Sequence, residues 1–252
     1  MHRFYLPPAE CKTGLLTLAG REAHHALHVL RIRKGDNVTI LDGAGREFSC
    51  AVENFDRDKL QLAVVETKTV PAPPCPITLL QAVPKGKIIE SIIQKATELG
   101  VSRIVPLLTE RVVMDLDDKH AARKTDKWQQ VAIEAIKQCG AAWLPRVESP
   151  VTPKEFLARG EKFELPLVAS LQPGAQHPRQ YFQKFESQHG RKPKSACVWI
   201  GPEGDLTAEE VAAITSAGAL PITLGKLVLR VETAATYCVS VLNYELTAEN
   251  SS

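Results

Sequence analysis

The chain reads as an α/β protein in two parts: a small β-barrel-like module, then a larger domain built on a mostly parallel sheet. Three observations predict this. Up to residue 70 the apolar residues fall in short strand-like runs separated by turn residues, the pattern of a small β-module. The segment Val70-Pro71-Ala72-Pro73-Pro74-Cys75-Pro76 holds four prolines in seven residues, which suits neither a helix nor a central strand and reads as an extended linker. From residue 77 on, apolar strand-like runs alternate with amphipathic segments of helical period, which implies a parallel sheet covered by helices on both faces. The expected domains are 1–70 and 77–252, joined by a linker at 71–76.

In the first part the expected strands are 3–6, 15–18, 37–41, 47–54 and 59–65, with one helix at about 21–30. Lys34-Gly35-Asp36 and Asp42-Gly43-Ala44-Gly45 supply turns between them. In the second part, strands are expected at 77–83, 103–108, 165–171, 196–200 and 221–224. Ile88, Ile92, Ile93, Ala96 and Leu99 recur at helical spacing and predict a helix over 87–99, stopped by Gly100. Further helices are expected at 127–139, ended by Gly140, and at 233–246. Another is expected at 207–217, where Thr207 followed three residues later by Glu210 makes a capping box. The polar tail 248–252 reads as frayed.

Composition bounds the function classes. Of 252 residues, 44% are hydrophobic and 24% charged, which excludes a disordered, collagenous or coiled-coil chain. No apolar run reaches the ~18–20 residues that span a bilayer, and the first residues lack an apolar leader, so no membrane and a cytoplasmic location are expected. The net charge of +2 does not by itself demand nucleic acid, although it leaves room for a basic face. Cys11, Cys50, Cys75, Cys139, Cys197 and Cys238 are scattered without a CxxC pair, so they read as reduced thiols rather than a disulfide frame or zinc site.

Several nucleotide and hydrolase motifs are absent: there is no GxxxxGK[ST], HExxH or GxSxG. Gly43-Ala44-Gly45-Arg46-Glu47-Phe48 begins like GxGxxG, but it lacks the third glycine and lies between two strands, so it reads as a hairpin turn. His24 and His28 share a helix face with His25 beside them. Two histidines with no third ligand in view make a weak metal site, and no metal is expected.

Two loops in the last third carry chemistry. Val198–Ile200 leads into Gly201-Pro202-Glu203-Gly204-Asp205 and then a capped helix. Its glycines admit backbone angles and close approaches that a Cβ would block, at the carboxyl end of a strand where open α/β sheets bind ligands. Residues 224–234 repeat the arrangement, with Arg230 and Glu232 as charged groups among apolar neighbours, and Glu232 and Thr233 in the positive first turn of the final helix.

The pair "IGPEGDLTAEE" and "LGKLVLRVETA" resembles the RsmE family, the 16S ribosomal RNA uracil-N3 methyltransferases of the SPOUT superfamily. "HHALHVLRIRKGD" is similar to the family's N-terminal module, and "KGKIIESIIQKATELGVSRIVPLLTER" to its segment after the linker. The resemblance implies a PUA-like RNA-binding β-barrel followed by a knotted SPOUT-type α/β domain. It also implies a homodimer, S-adenosylmethionine as cofactor, and uridine 1498 of 16S rRNA in the small ribosomal subunit as target. The residues it implies for the cofactor are Leu171, Ile200, Gly201, Pro202, Glu203, Gly204, Leu224, Gly225, Leu229 and Thr233. Those for RNA are Arg31, Arg33, Lys34, Lys85, Lys87 and Arg111. Three positions depart from the family pattern: Asp205 replaces a usual glycine, Leu227 a usual basic residue, and Ala141 a usual arginine.

Uracil N3 carries a proton at neutral pH, so methylation there requires a base or a positive group that stabilises the developing anion, and Arg230 and Glu232 are assigned those catalytic roles. A structural ion pair is the plainer account of the two. The basic cluster at Arg191, Lys192 and Lys194 reads either as an RNA contact or as a solvated face. The apolar stripe Ala235, Cys238, Val239, Leu242 and Leu246 is the expected dimer surface, unless it packs on its own sheet. The alternative function is a non-catalytic RNA-binding factor of ribosome assembly.

Overall fold

A computed structural model describes residues 2–11, 14–112 and 118–247; the tail 248–252 lies outside the described residues. The chain divides into two compact units, Met1–Ala72 with Ile133–Leu144, and Pro73–Ala132 with Pro145–Ser252. The division falls inside the proline-rich segment, and the stretch Ile133–Leu144, which the sequence places in the second domain, groups with the first.

The first unit is a five-stranded mixed sheet formed by β1 (His2–Tyr5), β2 (Leu15–Ala19), β3 (Asn37–Leu41), β4 (Arg46–Phe55) and β5 (Lys59–Thr69). The order is β1-β3-β4-β5-β2, parallel only between β1 and β3. It is a half-barrel: β1 and β2 stand at opposite edges, where the sequence suggested a barrel. Strict alternation on β2 and β5 sends Leu16, Leu18, Leu60 and Leu62 into a core shared with Phe4 and Ile40. The β3–β4 connection is the expected hairpin. The Asp42 carboxylate, 0% exposed, accepts from the amides of Ala44 at 2.8 Å and Arg46 at 2.9 Å and from Arg46 Nε at 2.6 Å. The predicted helix forms as α1 (Gly20–His24), which widens into one π-type turn over His25–Val29.

The second unit carries a parallel sheet of six strands in the order β11-β9-β10-β6-β7-β8. The strands are β6 (Ile77–Ala82), β7 (Arg103–Leu107), β8 (Arg146–Val147), β9 (Leu165–Ala169), β10 (Ala196–Ile200) and β11 (Leu220–Ile222). The central strands β6 and β10 are buried at every residue, which is why their sequences are continuous apolar runs rather than alternating ones. The helices are α2 (Ile88–Glu98), α3 (Asp118–Cys139), whose last residues 133–139 group with the first unit, α4 (Pro153–Ala158), α5 (Pro178–His189), α6 (Ala208–Ser216) and α7 (Val231–Thr247). Phe156 of α4 and Val211 and Ile214 of α6 pack with Leu80, Cys197 and Trp199 on one sheet face. On the other, Phe182 of α5 and Cys238 and Leu242 of α7 meet Leu167, Val198 and Ile222. Burial pushes the thiols of Cys197 and Cys238 up to about 12, so both stay protonated.

One expectation is overturned. Ala235, Cys238, Val239, Leu242 and Leu246 are at most 4% exposed within this unit, because α7 lies over β6 and β10 and against α2. That stripe is core, not a dimer surface. The helix expected at 127–139 starts earlier, at Asp118, and α4, α5 and β8 are additional elements. The capping box Thr152–Glu155 marks the start of α4 and was visible in the sequence. In α5 only Pro178, Tyr181 and Phe182 are buried, too few to set up a helical period.

Candidate functional site

A cavity of about 420 Å³ opens at the carboxyl ends of β9, β10 and β11. Three connections wall it: Ala169, Ser170 and Leu171 after β9; Ile200 through Glu203 and Asp205 after β10; and Leu224, Gly225 and Leu227 through Glu232 after β11, where α7 begins. Ile88 at the start of α2 closes it. Parallel strands end their carbonyl rows here, and the loops that leave them diverge to helices on opposite faces, so a crevice is left between them.

Of the residues expected at a cofactor, Leu171, Ile200, Gly201, Pro202, Glu203, Leu224, Gly225 and Leu229 line this cavity, whereas Gly204 and Thr233 do not. Arg230 and Glu232 line it as well. Sequence reasoning missed Ile88, Ala169, Ser170, Asp205, Leu227, Val228, Val231 and Ala234. Ile88, Val231 and Ala234 carry no signal beyond helix periodicity, and Leu227 and Val228 read only as apolar loop residues. Asp205 sits inside the quoted motif and was discounted as a departure from it.

The backbone demands of the first loop fall where the sequence did not put them. A Cβ on Gly201 would come within 2.9 Å of the Leu206 amide nitrogen, so this glycine is required by close approach. Gly204 has no left-handed backbone; that conformation belongs to Asp205, at φ 62°. The loop is held from outside by Lys85, whose amide donates to Glu203 Oε1 at 3.1 Å, and by Arg111, whose guanidinium donates to the carbonyls of Gly204 and Asp205. Arg111, expected at RNA, is thus spent on the cavity wall.

Four ionisable side chains line the cavity, the carboxylates Glu203, Asp205 and Glu232 and the guanidinium of Arg230. The surplus of negative charge over apolar walls suits a ligand with an apolar body and positive groups. Arg230 and Glu232 form no ion pair among the described residues; each side chain is available at the rim, while their carbonyls serve the first turns of α7, bonding Ala234 N at 2.8 Å and Thr236 Oγ1 at 2.7 Å. The structural ion pair weighed from sequence is therefore not formed.

Among the basic groups, Arg31, Arg33 and Lys34 are exposed on the first unit, with Arg31 in the left-handed region at φ 56°. Lys85 and Lys87 are exposed on the approach to Ile88. Arg191 is committed: it makes a two-pronged bond to Glu164 at 2.7 and 2.8 Å, and with the Lys194 amide it holds that carboxyl down at about 2. The rings of His24 and His28 lie 4.8 Å apart, and the described residues contain no group of three His, Cys, Asp or Glu able to hold a metal.

A model of an RNA methyltransferase domain matches residues 71–243, and one of an RNA methyltransferase PUA domain matches residues 18–65. The ribosomal RNA small subunit methyltransferase E of Bacillus subtilis is 33% identical over 91% of this chain and 90% of its own length. The chain belongs to this RNA methyltransferase family. Its Synechocystis member is 32% identical over 96% of this chain and 77% of its own. Two solved structures share the fold closely. A putative methyltransferase of Legionella pneumophila in complex with the cofactor SAM has a TM-score of 0.86 at 33% identity, over 96% of both chains. The Neisseria gonorrhoeae ribosomal RNA small subunit methyltransferase E bound to S-adenosyl methionine has a TM-score of 0.83 at 27% identity, over 97% of both chains. Asp205 and Leu227 both line the cavity, and Leu227 is 76% exposed.

Proposed function

We propose that this chain is an S-adenosylmethionine-dependent ribosomal RNA methyltransferase that modifies N3 of a uridine in 16S rRNA, the position implied by its family. The observation that carries the reading is the cavity between the three strand-end loops, apolar in its walls, surplus in carboxylates and bordered by Arg230 and Glu232. Those residues fit the cofactor: Leu171, Ile200, Leu224 and Leu229 supply apolar surface, and Glu203 balances positive charge. When bound, the cofactor supplies an electrophilic methyl group on a sulfonium. The protein orients the uracil and manages its N3 proton. As the proton leaves, Arg230 stabilises the charge developing on the imide oxygens, and Glu232 accepts the proton or orients Arg230.

In this reading the N-terminal unit contacts RNA phosphates through Arg31, Arg33 and Lys34, and Lys85 and Lys87, exposed just before Ile88, offer phosphate contacts of their own beside the cavity. The protein acts in the cytoplasm as a homodimer; among the described residues no helix is long and apolar enough to cross a membrane.

Methyl transfer from labelled S-adenosylmethionine to 16S rRNA or small subunits tests the reading. Arg230→Ala should lower turnover by about 10²–10³ while cofactor affinity stays close to wild type. Near-wild-type turnover in a folded, cofactor-bound Arg230→Ala enzyme rejects the catalytic assignment. Absence of cofactor binding to the wild-type chain by calorimetry favours the non-catalytic RNA-binding factor.

A further inference from the structure

We infer that Asp205 is a positioning residue, a carboxylate strap that ties the loop after β9 to the loop after β10 and so sets the width of the cofactor cavity. The inference deepens the cofactor reading above and rests on it. Asp205 and Arg31 are the two non-glycine residues with positive φ among the described residues, and Asp205 is the one that lines the cavity. Its Oδ1 accepts from the amide of Leu206 at 2.8 Å, within its own loop. Its Oδ2 accepts from the amide of Leu171 at 3.4 Å, on the loop after β9. Only a carboxylate accepts on both sides; an amide has one acceptor oxygen and turns a donor toward the second N–H.

The backbone is arranged around this side chain. The left-handed angle at 205 turns the carboxylate back over Gly201, where a Cβ would stand 3.0 Å from Oδ1. The Asp205 amide donates to Pro202 O at 2.9 Å, which closes the loop beneath it. Asp is among the few side chains that visit the left-handed region, so it keeps a conformation natural to glycine and adds a bond that glycine lacks. Leu171, 64% exposed, is thereby held at the cavity edge instead of swinging into solvent.

The test uses the full-length protein with Asp205→Asn and Asp205→Gly. Cofactor affinity, measured by calorimetry with S-adenosylmethionine and with S-adenosylhomocysteine, should fall about tenfold in Asp205→Asn and further in Asp205→Gly, as one and then both bonds are lost. The two ligands should weaken by the same factor, because the strap acts on the walls and not on the sulfonium charge. Thermal stability should change little in Asp205→Gly, because glycine takes φ 62° without strain and this offsets the lost bonds. A residue of merely structural importance would lower stability and affinity together. Amide exchange, read without cofactor, should show Leu171 protected in wild type and fast in both variants. Wild-type affinity in Asp205→Asn and Asp205→Gly, or unchanged protection of Leu171, overturns the strap while leaving the cofactor reading intact. Failure of the wild-type protein to bind either ligand overturns both.

Discussion

At Gly201 the constraint is steric and local. Its would-be Cβ meets Leu206 N at 2.9 Å, Asp205 Oδ1 at 3.0 Å and Asp205 C at 3.2 Å, and two of these three are backbone atoms that cannot rotate away. Valine at this position must push the loop off the end of β10. Gly201→Val should reduce cofactor affinity at least a hundredfold while costing only about 1–3 kcal/mol of stability, the usual range for overpacking. Calorimetry and thermal melts on the same sample check this; an unchanged affinity would remove the loop from the site. The motif shows that glycine is needed here but not why, because a strand-end glycine looks the same in a sequence whether φ or a neighbouring amide demands it. Asp205 shows the converse. Its type was legible as a departure, but its two backbone partners are 1 and 34 residues away, and only the second reveals its role.

Helix α6 shows how one element supports the site. Glu210, 8% exposed, accepts from Thr207 N at 2.9 Å through one oxygen and from Glu110 N at 3.0 Å through the other. The first bond completes the capping box predicted from sequence. The second joins the start of α6 to the segment after β7 that also delivers Arg111 to Gly204. Glu210→Ala should therefore cost more than a lost cap: about 0.5–2 kcal/mol for the cap, and about 1–3 kcal/mol for the stranded amide of Glu110. Glu210→Gln, which keeps one acceptor, should cost less than half of this. Urea denaturation of the two variants distinguishes the cases, and equal stability of Glu210→Ala and wild type would show that neither bond matters. Elements with a strong period were legible: β3 and β10 form where the apolar runs lie, and α2 within one residue of its expected ends. Helix α5 was not, since a helix of largely polar composition with few buried residues leaves no periodic trace.

For the molecule as a whole, the homodimer is the open assembly question. The stripe on α7 is consumed by its own sheet, so a dimer must use other residues. Tyr237 and Tyr244, 39% and 76% exposed, stand on the same helix outside the core, and Leu227 and Val228, 76% and 77% exposed, stand at the cavity. Aromatic and apolar groups left out in this way are typical anchors of a twofold interface. Light scattering at micromolar concentration should return twice the chain mass, and Tyr244→Asp should shift the protein toward monomer. A wild-type monomer that still transfers methyl groups would reject the dimer.

By itself the sequence determined the class of each sheet, most strand positions, and the two loops that meet at the cavity. These follow from short-range causes: proline's fixed torsion, the periods of strand and helix, and the glycines and caps at chain reversals. Tertiary structure alone decided which partner each polar group took. It tied Arg111 to the carbonyls of Gly204 and Asp205 and Arg191 to Glu164, left Arg230 and Glu232 without an ion pair among the described residues, and turned the apolar stripe of α7 inward. The physical reason is the same in each case. Hydrogen bonds and ion pairs have a reach of a few ångströms, their partners lie tens of residues apart along the chain, and periodicity records that a face is buried but not against what.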